Sequence, residues 1–243
     1  MNETGTTQPS RREIWRLFDR IAPRYDFLNR LLSLRRDVAW RRRMATFLAG
    51  RHSLKLLDLA TGTGDQIFHL LDAGADVAQA VGLDLSEKML AIGRRKLARR
   101  GLAGRAELRT GDAMAIPAGT GTFDAATMAF GIRNVEKADV ALREIWRVLR
   151  PGGRALILEF SVPSSRLVRG IYLFYFRHVL PRIGAAVAGD GEAYRYLNRT
   201  AETFAHGEAF CELLRQAGFV AVTALPLTLG IASIYKGDKP GGG

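Results

Sequence analysis

The run Leu56-Leu57-Asp58-Leu59-Ala60-Thr61-Gly62-Thr63-Gly64-Asp65 constrains the fold of this chain more than any other stretch. It reads as a buried apolar strand that enters a glycine-rich turn and opens a helix. Residues without bulk at Gly62 and Gly64 let backbone N–H groups approach an anionic or strongly polar ligand at the positive end of a helix dipole. A nucleotide-like cofactor on this turn is the expectation.

A dinucleotide fingerprint would place a small residue where Ile67 stands, which weakens a nicotinamide reading. About twenty residues on, the apolar run Ala78 to Leu83 ends at Asp84, where a second-strand carboxylate accepts the hydroxyl pair of an adenosine ribose. Gly111-Asp112-Ala113 closes a third strand, and Phe123-Asp124-Ala125-Ala126-Thr127-Met128 makes a fourth. Leu149-Arg150-Pro151-Gly152-Gly153 then turns a helix into a fifth. In this order the segments resemble the class I methyltransferases that bind S-adenosylmethionine. The resemblance implies an α/β fold, a Rossmann-like doubly wound sheet of about seven strands with a reversed last strand. It also sets Asp112 against the adenine amino group.

Length and composition agree with one domain. The chain has 243 residues, 47% of them hydrophobic, enough for a full doubly wound core. Its one cysteine, Cys211, excludes a disulfide framework or thiolate metal site within a monomer and suits a reducing cytoplasm. No cationic leader with an apolar core is evident, and no apolar run of the roughly 20 residues needed to span a bilayer. A soluble or peripheral protein is expected. The net charge of +12 is concentrated early: Arg11 to Arg51 holds 12 arginines against Glu13, Asp19, Asp26 and Asp37. This bias fits nucleic acid, an anionic membrane face, or a solvated helical face whose arginines pair with nearby acids.

Residues 1–10 are polar and read as a disordered tail, and residues 11–243 as the single domain. Within it, residues 11–50 form a cap of two or three short helices, with Ile14, Leu17, Phe18 and Ile21 at helical spacing before a break at Pro23. Ser86 reads as the N-cap of the second helix of the alternating region. Lys137 to Leu149 forms the helix before the fifth strand. Residues 164–198 read as an inserted lid over the site, aromatic and basic through Tyr172, Phe174, Tyr175, Phe176, Arg169, Arg177 and Arg182. Gly207 to Ala217 is a helix stopped by Gly218, followed by strands Phe219–Leu225 and Leu229–Tyr235.

A narrower likeness rests on five segments: Phe18 to Asn29 with its Pro23-Arg24-Tyr25-Asp26, Asp58 to Asp65, Ala129-Phe130-Gly131-Ile132-Arg133-Asn134-Val135, Val179 to Gly184, and Tyr194 to Leu197. Together they resemble the ubiquinone/menaquinone biosynthesis C-methyltransferases, over roughly residues 13 to 237. Thr200 and Ala205 depart from that family's usual Ser and Pro and bear only on the lid. The resemblance implies methyl transfer from S-adenosylmethionine to a ring carbon of a polyprenylated quinol, either demethylmenaquinol or a 6-methoxy-1,4-benzoquinol. Such chemistry needs positioning and a base, and no metal-ligand spacing is present.

For the cofactor the implied residues are Asp58, Gly62, Thr63, Gly64, Asp84, Asp112, Ala113 and Ala129. Asp58 and Asp65 either brace the loop or meet the methionine amino group. Phe130, His178 and Tyr194 are candidates to touch the quinol. Arg133, Asn134 and Tyr25 are the catalytic candidates. An arginine stays protonated and is a poor base, so Arg133 is read as orienting a water and stabilising a quinolate; fixing the loop is the alternative role. Glu159, at the end of the fifth strand, reaches the site or caps a neighbouring loop. The quinol's tail implies a peripheral, cytoplasmic, membrane-facing enzyme, and a homo-oligomer is common in such folds. An RNA methyltransferase and a non-catalytic quinone-handling subunit are the competing readings. Against the first, Ala129-Phe130-Gly131-Ile132 stands where base N-methylation usually shows Asn/Asp-Pro-Pro-aromatic.

Overall fold

The computed structural model describes Ser33, residues 35–179, Arg182, Thr200 and residues 203–242. The expected tail, the cap up to residue 32, most of the lid beyond Val179, Tyr25 and Tyr194 lie outside the described residues.

Seven strands form one sheet: β1 (Leu54–Leu59), β2 (Val77–Asp84), β3 (Ala106–Thr110), β4 (Phe123–Ala129), β5 (Leu149–Phe160), β6 (Val220–Leu227) and β7 (Ala232–Asp238). Their order is β3-β2-β1-β4-β5-β7-β6. β1 to β5 run parallel, and β7 is antiparallel to both β5 and β6, the reversed last strand that the sequence led us to expect. Side-chain alternation divides each central strand between two cores. Leu54 and Leu56 of β1 face one core with Leu156 and Leu158 of β5. Leu57 and Leu59 face the other with Ala155 and Ile157. A strand buried on both faces is mostly apolar, which is why leucines of β1 face both cores and the strand shows no hydrophobic alternation.

The helices cover these faces. α1 (Arg36–Arg43), α2 (Asp65–Asp72) and α3 (Glu87–Arg99) serve the first core through Trp40, Ile67, Phe68, Leu70, Leu90 and Leu97. α4 (Ala138–Val148) and α6 (Glu208–Gln216) serve the second through Ala141, Leu142, Ile145, Val148, Phe210 and Leu214. In α4 these residues recur at helical spacing while Asp139 and Arg143 pair on the solvent side at 2.8 Å. Ser86 caps α3 as expected, its Oγ accepting from the Met89 N–H at 3.3 Å. Gly218, at φ +98°, stops α6 against the Trp146 ring. The described part of the expected lid is α5 (Arg166–Phe174), which runs on into a π-helical turn, Tyr175–Val179.

Several boundaries differ from expectation, among them the start of β5, which already includes Leu149–Gly153. β3 ends at Thr110, before Gly111-Asp112-Ala113, because the Asp112 carboxylate turns back to accept from the Met114 N–H at 2.8 Å. The closing hairpin turns at Thr228 and Leu229, both left-handed (φ 44° and 58°), so Leu229 lies in the turn and not in β7. No Asn-Gly or Asp-Gly marks that turn, and the continuous apolar pattern hid it.

Candidate active site

The order of strands reverses between β1 and β4, and the crevice beyond their carboxyl ends is where ligands bind in sheets of this kind. Four segments converge there: the β1–α2 turn, the end of β2, the segment after β4 and helix α1.

In the β1–α2 turn, Ala60, Gly62 and Gly64 all have positive φ (48°, 55° and 83°). The Gly62 N–H donates to Asp84 Oδ2 at 2.8 Å and the Gly64 N–H to the Thr61 carbonyl at 2.9 Å. Both amides are thus engaged within the protein, so these glycines serve the left-handed geometry of the turn and do not offer free donors. Asp84 also accepts from the Ser86 N–H at 2.9 Å. A carboxylate has two oxygens that can each accept more than one hydrogen bond, the capacity that a ribose diol requires.

Asp58 lies beneath the turn, fully buried. Register sets it beside Gly82 of β2 and Thr127 of β4. It accepts from the hydroxyls of Thr61 and Thr127, both at 2.6 Å. Burial pushes its carboxyl up to about 6, against the opposing pull of those two hydroxyls and of the Arg41 charge. Of its two expected roles, this geometry is that of a brace. Asp65 is likewise engaged, accepting from Lys96 Nζ at 2.7 Å, and the same ammonium donates to Thr63 Oγ1 at 2.8 Å. Close packing of α3 on the turn requires glycine at position 93, where a Cβ would stand 3.0 Å from the Thr63 carbonyl carbon and 2.4 Å from Leu108. Gly82 has the same role, since a Cβ there would meet Leu108 at 2.4 Å and Thr61 Oγ1 at 2.8 Å. Lys96, Gly82 and Gly93 were missed in the sequence because only the fold brings them to the turn.

Asp112 is half-buried and Ala113 buried just beyond β3, on the far side of Asp84 from β1. Across the switch point, buried Ala129 ends β4, and Phe130 adopts φ +60°. Gly131 lets the two loops touch: a Cβ there would lie 2.5 Å from the Ala60 Cβ. The short turn Ile132–Asn134 then holds Arg133 with only 2% exposure. Its guanidinium donates to the Phe130 carbonyl at 3.0 Å and forms an ion pair with Glu159, which is 1% exposed. Glu159 also accepts from the Phe160 N–H at 2.8 Å. Glu159 therefore reaches the site by holding Arg133 and its own following amide. Two polar atoms on this turn, Arg133 Nε and Asn134 Oδ1, are buried with no partner among the described residues.

Aromatic rings line this side. Phe130 and Phe160 stand 4.7 Å apart, with Trp40 of α1 at 6.2 Å and 6.4 Å from them. The Arg41 guanidinium lies 5.2 Å above Phe130 and that of Arg133 5.3 Å above Phe160. His178 is not brought here. It is exposed in the π-helical turn, its ring 5.1 Å from that of Phe174. Among the described residues, no group of three His, Cys, Asp or Glu side chains is arranged to hold a metal ion.

A sheet in this order with an acid-braced glycine turn at its switch point defines the class I methyltransferase architecture. Among solved structures, a possible histamine N-methyltransferase from Thermotoga maritima, described as SAM-dependent, matches 93% of this chain and 99% of its own at a TM-score of 0.65 and 19% identity, a likeness of fold. The ubiE/COQ5 methyltransferase family matches residues 6–239, and the chain belongs to that family. It is 45% identical over 224 residues to the demethylmenaquinone methyltransferase of Thermus thermophilus, covering 92% of this chain and all of the relative. It is 46% identical to the ubiquinone/menaquinone biosynthesis C-methyltransferase UbiE of Geobacter sulfurreducens, covering 92% of this chain and 87% of the relative. The protein is an S-adenosylmethionine-dependent methyltransferase, and these relatives favour neither an RNA methyltransferase nor a non-catalytic subunit.

Proposed function

We propose that the enzyme methylates a ring carbon of a polyprenylated hydroquinone, demethylmenaquinol or a 6-methoxy-1,4-benzoquinol. The observation that carries this reading is the approach of the Asp84-braced glycine turn to the Phe130–Asn134 segment across the switch point, within a chain whose relatives act in quinone biosynthesis. Gly62, Thr63 and Gly64 shape the cofactor's seat, with Asp58 beneath it. Asp84 takes the ribose, Asp112 and Ala113 the adenine, and Ala129 borders the seat on the β4 side. The bound cofactor supplies an electrophilic methyl on a sulfonium sulfur.

The residues after β4 suit the other reactant. Phe130 and Phe160 offer flat apolar faces to an aromatic ring. Among the described residues, Arg133 Nε is an unused donor and Asn134 Oδ1 an unused acceptor. Together they complement a hydroxyl or a water, which both donates and accepts. In this reading Asn134 accepts a hydrogen bond from the quinol hydroxyl or from a water that would pass its proton to solvent, and the hydrogen of the methylated ring carbon would then leave as the proton that restores the hydroxyl. Arg133, permanently charged, stabilises the oxygen as negative charge develops ortho to the reacting carbon. Tyr25 is proposed to complete this network.

The isoprenoid tail keeps the substrate in a bilayer, and we assign the docking face to α5. Leu167, Ile171 and Phe174 stand 75%, 65% and 61% exposed at helical spacing, with Leu229 at 75%, and exposed Arg166, Arg169, Arg177 and Arg182 lie along the same segment. An apolar stripe with arginines matches an anionic lipid surface on the cytoplasmic side. No described helix is long and apolar enough to cross a membrane. His178 belongs to this face, and Tyr194 is proposed to meet the quinol.

The test supplies S-adenosylmethionine with each quinol in reduced and in oxidised form and reads products by mass spectrometry. The reduced ring gains one methyl on carbon and the oxidised ring gains none. No product from either reduced quinol refutes the reading.

A further inference from the structure

Arg41 is a buried cation without a described counter-charge. It projects from α1, which lies over the carboxyl ends of the central strands: the Trp40 indole donates to Thr228 Oγ1 at 2.8 Å, and Gln66 at the start of α2 donates to the Arg41 carbonyl at 3.4 Å. The Arg41 side chain is 7% exposed, and its guanidinium sits over Phe130, in electrostatic reach of Asp58 under the glycine turn and of His69 on α2. Its Nε finds no acceptor among the described residues. The carboxylates around it are engaged elsewhere. Asp58 accepts from two threonine hydroxyls, Asp65 from Lys96, and Asp37 from Ser33 Oγ at 2.6 Å. A guanidinium held out of water with no carboxylate on it among the described residues is costly, and an anion brought by a ligand would offset that cost.

The sheet order identifies the anion. With ribose at Asp84 after β2 and adenine at Asp112 after β3, the cofactor extends along β3-β2-β1-β4, and its far end arrives over β1 and β4, beneath α1. That end is an α-amino acid. We infer that Arg41 holds the carboxylate of the cofactor's methionine moiety. Gln66 Oε1, buried on the facing helix with no partner among the described residues, is the acceptor available to the α-ammonium. One orphaned donor and one orphaned acceptor on touching residues complement a zwitterionic amino acid head. This inference rests on the cofactor-binding reading above and adds the subsite that selects the amino acid end.

The experiment is titration calorimetry of the whole chain with S-adenosylhomocysteine and with its decarboxylated analogue. A charge-assisted hydrogen bond to a buried partner corresponds to roughly ten- to hundredfold in affinity. Wild type is expected to prefer the carboxylated ligand by about that factor. Arg41→Met should lose the preference, weakening S-adenosylhomocysteine while leaving the decarboxylated analogue nearly unchanged, and Arg41→Lys should retain part of it. Equal weakening of both ligands by Arg41→Met, or a preference that survives it, overturns the assignment. Should Arg41→Met not fold, the wild type and Arg41→Lys still decide: a wild type that binds both ligands equally overturns it. Failure of the wild type to bind S-adenosylhomocysteine at all refutes the cofactor-binding reading itself.

Discussion

Glu159→Ala removes one half of an ion pair whose members are 1% and 2% exposed, and leaves the Arg133 guanidinium buried against Phe160 with only the Phe130 carbonyl as hydrogen-bond partner among the described residues. Removing one partner of such a pair costs about 3–5 kcal/mol, because the remaining charge stays out of water. For a domain of this size each kcal/mol moves the thermal midpoint by roughly 2–4 °C, so a drop on the order of 10 °C is expected. Glu159→Gln keeps an acceptor for the Phe160 N–H but loses the charge, and should fall between the two. Replacing both members, as Arg133→Met with Glu159→Leu, removes the stranded charge and should recover most of the stability. Turnover separates the roles of Arg133. The double variant should remain nearly inactive if Arg133 stabilises the developing quinolate, and should recover with stability if the arginine only fixes the loop. Urea denaturation, thermal melts and methyl-transfer rates on the four proteins test this reasoning. A loss below about 1 kcal/mol for Glu159→Ala, the range of a surface pair, would refute it.

Asp84→Ala should weaken S-adenosylhomocysteine binding by about 1.5–3 kcal/mol per hydrogen bond lost, read by calorimetry, and also lower stability because the Gly62 and Ser86 amides lose their acceptor. Asp58 makes stability depend on pH. With its folded carboxyl at about 6 against an ordinary 3.8, the unfolded chain releases this proton first, so its contribution is full below about pH 4 and lost as pH rises through 6, a change of about 3 kcal/mol. The urea midpoint of the wild type should fall relative to that of Asp58→Asn between those values, and a constant difference would contradict the buried-acid account. Gly131→Ala drives a methyl into Ala60 at 2.5 Å and should cost 1–3 kcal/mol of stability in a melt, with a larger loss of turnover than of cofactor affinity. Replacing Leu167, Ile171 and Phe174 with Ser should abolish sedimentation with anionic liposomes while sparing activity on a short-chain quinol.

Much of this architecture was legible in the chain because local rules and the global fold agree. The leucine-rich run from Leu56 into the glycines of the β1–α2 turn, the Ser86 cap and the stop at Gly218 each carry their own physical signature. Asp84, Arg133 and Asn134 were legible by their positions at strand ends. What could not be read was contact between distant segments. Nothing local announces that Lys96 ties Thr63 to Asp65, that Glu159 partners Arg133 across 26 positions, or that Arg41 comes to lie over Phe130. His178 misled for the same reason: an aromatic, basic stretch reads as an active-site lid, whereas its ring lies beside Phe174 on an exposed face. Leu229 read as strand because the first two left-handed positions of its turn, Thr228 and Leu229, carry no glycine or asparagine, and only Gly230 marks it.

Cofactor and quinol are proposed to meet across the β1–β4 switch point, and a structure of the chain with S-adenosylhomocysteine and a reduced short-chain quinol would show whether they do. Adenosine is expected over Asp84 and Asp112, the quinol ring against Phe130, and a ring hydroxyl, directly or through one water, on Asn134 and Arg133. A quinol ring seated away from the Phe130–Asn134 turn, or a cofactor bound without contact to Asp84, would contradict this placement.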